Sequence, residues 1–235
     1  MSPALLRRPR HAFTLIELLT VIAIIGVLAA IVIASVGKVR QTAQLSRSSA
    51  NVRQLALATL LYADANRGRL PKATVTINPG GTDTDSFLPL IGLGVADLKR
   101  SALYSYVGQS EAVFLAPTDQ GLKANGTRGR NFSYTFNFLI NKGELPPGSS
   151  TPGGYDRAKS TIMNTSIDEP SRKVIVFEEV APNDAFCVWF TDLFSTRYGD
   201  RSPFGFADGH VQALPNTTVF ANSAYCELLP PSRQY

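Results

Sequence analysis

Histidine and cysteine are the residues this chain has least of, and their scarcity removes several kinds of chemistry. Two His and two Cys occur in 235 residues, with no C-x-x-C and no His/Cys cluster. A zinc site draws several such ligands together, so zinc is not expected. A Ser/His/Asp triad would have to use His210, because His11 lies in a basic N-terminal stretch, and no G-x-S-x-G accompanies it. A histidine on a surface hairpin is the plainer reading of His210. Glu178-Glu179 is a paired carboxylate, but neighbours on a strand point to opposite faces, which spoils them as an acid/base pair. Phosphate-binding loops and cofactor motifs are absent. No run of Lys and Arg is interleaved with aromatics, which argues against nucleic acid. A structural role is therefore preferred over an enzymatic one.

Charge is missing where it matters most. Phe13 to Ala34 holds no Lys, Arg, Asp, Asn, Gln or Pro, and Glu17 is its one ionisable side chain. At ~1.5 Å per residue this stretch makes a helix of about 33 Å, enough to cross a bilayer. An ionisable group in such a helix is costly unless it finds a partner, and so it marks a functional position. An amine at the same depth would serve. Cleavage between Ala12 and Phe13 would create one four residues from Glu17. Three of the five net positive charges sit before the apolar run, at Arg7, Arg8 and Arg10. They hold that end in the cytoplasm and place everything after about residue 35 on the other side.

The run His11-Ala12-Phe13-Thr14-Leu15-Ile16-Glu17-Leu18-Leu19 resembles the class III leader of type IV pilins and type II secretion pseudopilins. The resemblance implies a prepilin peptidase that cuts after Ala12 and N-methylates Phe13, with Glu17 as the carboxylate that guides assembly. That family usually has Gly before the cut, where this chain has Ala12. The implied partners are the peptidase, other pilin or pseudopilin subunits, an inner-membrane assembly platform and membrane lipid. The implied location is a single-pass inner-membrane protein with a cytoplasmic N-terminus, then a periplasmic or extracellular filament. Two plainer readings exist: a secretory signal peptide cut before Ser35, after Val32-Ile33-Ala34, and a simple signal anchor. Neither needs a carboxylate inside its apolar run. A membrane-anchored binding module or enzyme that uses this segment only for export is the alternative function. A pocket lined by Tyr134, Asp208 and His210 would favour it.

The rest of the chain reads as one head. Residues 1–12 are the basic leader, 13–35 the transmembrane and assembly helix, 36–67 its amphipathic continuation and 68–235 the globular extracytoplasmic head. Leu45, Val52, Leu55, Thr59 and Tyr62 form a helical stripe, and Asn66-Arg67-Gly68 with Pro71 supplies the stop. A short strand is expected at 73–77 and a second helix over Val95–Val107, with Leu98, Ala102 and Tyr106 on one side. Val113–Asp119 reads as a strand ending in a turn, and Asn131–Leu139 as a half-buried strand. Residues 143–154 read as loop. Strands follow at Val174–Val180 and Ala185–Phe190. Asp208-Gly209 between apolar runs predicts a hairpin with a type I′ turn. The fold class is α+β, a long N-terminal helix packed on a mainly antiparallel sheet.

Several landmarks, among them Tyr62-Ala63-Asp64-Ala65-Asn66, Ser133-Tyr134-Thr135-Phe136-Asn137 and Phe206-Ala207-Asp208-Gly209, resemble a pilin-like group with the signature His, nine residues, Asp-Gly. Here Tyr198 stands in the His position, and its hydroxyl could still bond across the turn. Ala116 stands where that group often has Cys. Cys187 and Cys226 form one disulfide in an oxidising compartment or remain two buried thiols, and spacing leaves both open. No cofactor is expected. Asp192, Asp200 and Asp208 are the Ca²⁺ candidates, as in the C-terminal loop of some secretion pseudopilins, with turn-capping carboxylates the favoured alternative.

Overall fold

A computed structural model describes residues 14–72, 85–92, 95–121, 129–137, 163–182, 186–187 and 193–215. The expected strand at 73–77, the loop at 143–154, Ala12, Phe13, Asp192 and Cys226 lie outside the described residues. Chain packing separates Met1–Thr42 from Ala43–Tyr235.

Helix α1 runs from Leu15 to Ala65. Leu, Ile, Ala and Val dominate it, and no Pro interrupts it. It ends as a Schellman-type turn, in which Gly68 N–H reaches back to Ala63 O at 2.7 Å. The cap differs in detail from expectation. Arg67 takes a left-handed conformation, φ 58°, and Gly68 follows at φ 81°. A Cβ on Gly68 would come within 2.9 Å of Met163 Cε, so space as well as φ keeps a side chain out.

In the Ala43–Tyr235 unit, five strands form one sheet in the order β5 (Phe186–Cys187), β3 (Tyr134–Asn137), β4 (Val174–Glu178), β6 (Arg201–Phe206), β7 (Val211–Pro215). The pairs β3–β4, β4–β6 and β6–β7 are antiparallel, and β5 joins β3 in parallel. A separate two-stranded ribbon pairs β1 (Leu90–Gly92) with β2 (Val95–Ala96). Val52, Leu55, Ala56 and Ala63 of α1 are buried in one core with Tyr134, Phe136, Val176 and Phe206. Burying a side chain of that size stabilises the fold by roughly 1.5–3 kcal/mol. Gly205 permits the close approach of helix and sheet. A Cβ there would lie 2.9 Å from Val52 Cγ1 and 3.1 Å from Val176 Cβ.

Four expectations need correction. The β3 strand is not half-buried: all four of its residues are buried. The helix covers one face of the sheet. On the other, Phe177 stacks on Phe194 with centroids 5.4 Å apart, and Phe204 meets both edge-on. Val95–Val107 is not a helix but β2, a short 3₁₀ turn at Leu98–Arg100 and further turns. Asn131 takes both backbone groups of Ala96 into its side-chain amide. Ser101 Oγ donates to Phe87 O and accepts the Leu103 N–H, which diverts the local donors from a helical ladder. Val113–Asp119 is not a strand. It opens as a 3₁₀ turn at Glu111–Phe114 and closes with Asp119 N–H on Ala116 O at 2.9 Å. Pro117 has no N–H to give a ladder, and Asp119 is drawn inward by arginines.

The β6–β7 hairpin is where Asp208-Gly209 placed it, but its turn is of another type. Gly209 N–H bonds Phe206 O and Phe206 N–H bonds His210 O, both at 2.9 Å, which encloses three residues. Among Ala207, Asp208 and Gly209 only Gly209 has positive φ, at 88°. The loop is thus a type I turn followed by a left-handed glycine at a bulge, not type I′. A Cβ on Gly209 would sit 3.0 Å from Leu57 Cδ2 and Leu60 Cδ1 of α1.

Candidate functional site

In the Met1–Thr42 unit, the first turn of α1 is built around Thr14 and Glu17. Thr14 N–H and Thr14 Oγ1 both donate to Glu17 Oε2 at 2.8 Å, and Glu17 N–H donates to Thr14 Oγ1 at 3.2 Å. This is a capping box, in which N-cap and N3 side chains satisfy each other's backbone donors. Thr14-x-x-Glu17 before an apolar run is its sequence signature, so Thr14 was legible and was missed. Glu17 Oε1 has no partner among the described residues. Beyond it, Leu15, Ile16, Ile24, Ile31 and Ile33 are exposed, and the helix is long and apolar enough to cross a membrane, with none of that apolar window buried in the chain.

A second constellation, within Ala43–Tyr235, lies under the helix. Asp119 accepts five hydrogen bonds: two from Arg130 at 2.6 and 2.7 Å, Arg197 Nη2 at 2.7 Å, Ser133 Oγ at 2.6 Å and Gly121 N–H at 2.9 Å. Burial acts to raise its pKa. The bonds from Arg130 and Ser133, the charge of Arg197 and the Gly121 N–H outweigh it and hold the carboxyl below the ordinary range. Arg197 also donates from Nη1 to Glu178 Oε1 at 3.0 Å and clasps the carbonyls of Glu179 and Val180. Glu178, wholly buried, takes the Ser48 hydroxyl on its other oxygen. Ser48 spends its proton there, so Tyr134 is the donor in the 2.8 Å bond between the two hydroxyls. Burial, then the Glu178 charge, pushes the Tyr134 hydroxyl well above its usual pKa.

These carboxylates are filled by donors from the chain and shut from water. They join α1 to β3, β4 and two loops and do not present a base. Glu178 and Glu179 lie on opposite faces as expected, Glu179 accepting Thr135 Oγ1 at 2.8 Å. Tyr198 is buried, and its hydroxyl lies by Ser48, Thr118 and Glu178, not across the turn at Asp208. Burial and the Glu178 charge raise its pKa. Asp208 caps the hairpin by accepting His210 N–H at 3.0 Å and pairs with His210 Nδ1 at 2.5 Å, while the His210 ring stacks on Phe206. Tyr134, Asp208 and His210 are not brought together: the first is buried under α1, the others stand at an exposed turn. Asp200 is exposed, and among the described residues no three His, Cys, Asp or Glu side chains group as a metal site. Cys187 belongs to the edge strand β5.

One unit thus presents an exposed apolar helix with a single carboxylate in its first turn, and the other a head built on a mainly antiparallel sheet. Residues 7–33 match the family model of the prokaryotic N-terminal methylation motif, the class III leader of type IV pilins. The match does not reach the Tyr198–Gly209 signature. No curated protein and no solved structure matches the chain.

Proposed function

We propose that this chain is a structural subunit of a type IV pilus or type II secretion pseudopilus. A prepilin peptidase cuts between Ala12 and Phe13 and methylates the new terminus. The subunit waits in the inner membrane, N-terminus on the cytoplasmic side, until the assembly platform draws it into the filament. The observation that carries the reading is the methylation motif placed on a helix whose apolar side chains have no partner in the chain. Glu17 is the assembly carboxylate. Thr14 occupies its Oε2, and Oε1 is left for the Phe13 ammonium of a neighbour. In low dielectric, desolvation offsets much of that attraction, so the pair sets register more than affinity.

Intact mass and N-terminal sequencing, on protein from membranes with an active prepilin peptidase, test the processing. A chain that starts at Phe13 with one added methyl group is expected; an uncut Met1, or a start at Ser35, sinks the reading. For assembly, Glu17→Gln should be cut and methylated with a head that melts like wild type, yet enter filaments at least tenfold less. Incorporation at the wild-type level would remove Glu17 from the mechanism.

A further inference from the structure

Within the head, α1 turns one face to the sheet and leaves most of the other uncovered, with Leu57 resting against the Gly209 turn at its edge. Ala50, Arg53, Leu57, Leu61 and Asp64 recur at three and four residues, so they share one stripe, and Arg47 flanks it. All are exposed, Leu57 at 41 % and Leu61 at 54 %. Neither Arg47 nor Arg53 has an ion pair or a hydrogen bond among the described residues. Over 43–65 the helix has two cations and a single carboxylate, Asp64, beyond the apolar pair.

We infer that this face docks a helix of a different subunit, one that offers carboxylates to Arg47 and Arg53 beside an apolar seam for Leu57 and Leu61. The inference rests on the filament reading above and names the partner's chemistry. Two copies of this chain rooted in one membrane run parallel. Parallel helices offset by about one turn bring Arg53 of one copy level with residue 49 of the other. That is two residues, about 3 Å of helix rise, from its Arg47. Like charges then meet, and the only carboxylate of helix residues 43–65, Asp64, lies eleven residues beyond Arg53. A second copy is therefore the wrong occupant. An acidic helix cancels both cations and covers Leu57 and Leu61, with the charges deciding between partners more than they add affinity.

The chain itself supplies the acidic probe. Full-length wild type with p-benzoylphenylalanine in place of Leu61 is reconstituted in phosphatidylcholine bilayers, either with tagged wild type or with a tagged R47E/R53E chain. The photo-cross-link to R47E/R53E should exceed the cross-link to wild type about fivefold at low salt, as two pairs of exposed-salt-bridge strength imply. The excess should fade in 0.5 M salt as screening shortens to a few ångströms. Equal or stronger cross-linking of wild type to itself would overturn the inference in favour of a second copy. An excess that appears only with phosphatidylglycerol present would overturn it in favour of lipid. The mass of the same samples reports cleavage at Phe13 separately, so a failure of the filament reading is not mistaken for a failure of this one.

Discussion

The two stretches of α1 are opposites. From Leu15 to Val39 its large apolar side chains stand exposed, Leu15 at 80 % and Ile33 at 75 %, while from Ser48 onward it buries even hydroxyls, Ser48 and Thr59 at 0 %. Water selects against the first arrangement and tolerates the second only where every polar atom finds a partner. The first stretch is therefore uncovered within the chain, and it is long and apolar enough to cross a membrane. The buried hydroxyls of the second are satisfied within the chain, because Ser48 meets Glu178 and Tyr134, and Thr59 Oγ1 returns to Leu55 O at 2.8 Å. Mutations in the two stretches should fail in different assays.

The largest effect should come from Arg197→Met. Among the described residues Glu178 would lose its one paired cation and Asp119 one of its two, and a buried charge left without its partner costs about 3–5 kcal/mol. A domain of ordinary stability, roughly 5–15 kcal/mol, would lose much of its margin. Urea unfolding of the full chain in detergent, followed by near-ultraviolet circular dichroism, should show the midpoint fall sharply, with cleavage at Phe13 unchanged. An unshifted midpoint would mean that the joint is ornamental.

Next in size is Gly205→Ala. Its methyl group would meet Val52 and Val176 at 2.9 and 3.1 Å, a clash of branched side chains that cannot swing clear. Overpacking of that kind costs about 1–3 kcal/mol. The same urea midpoint should fall, and by less than with Arg197→Met. A stabilised variant would show that helix and sheet separate easily.

Acid should weaken the head by a smaller amount. Asp119 has a folded pKa below its unfolded value, so its contribution is present above about pH 4, the unfolded range, and is lost as pH falls through the folded pKa. Asp119→Asn should lower the midpoint at pH 7 and flatten its decline between pH 4 and pH 2. Parallel wild-type and variant curves over that window would remove Asp119 as the source.

The long helix and the last hairpin were legible because their signals are local: apolar spacing without proline for α1, Asp-Gly between apolar runs for β6–β7. The joint was not. Asp119, Arg130, Glu178 and Arg197 come from four separate segments, and nothing in the spacing of one arginine says which distant carboxylate it will meet. Leu98, Ala102 and Tyr106 had helical spacing, yet Ser101 and Asn131 offered the backbone closer partners. Both buried faces of β3 escaped notice for the same reason: Phe194, which helps cover the second face, lies more than fifty residues away in sequence. Pairings that depend on the whole fold leave little trace in any one window.

Thr14→Ala should do least to the head and yet separate the two stretches most cleanly. It removes both side-chain bonds of the capping box, leaving Glu17 only the backbone N–H of residue 14. An N-cap substitution acts within the first turn, so amide exchange there should quicken by about tenfold or less. The urea midpoint of the head should not move, since no bond of Thr14 reaches beyond Leu18. If Thr14 also orients the Glu17 carboxylate toward a neighbour's ammonium, filament entry should fall with the head intact, and Thr14→Ser should restore it. A drop in the head's midpoint would deny that the two stretches of α1 are energetically separate.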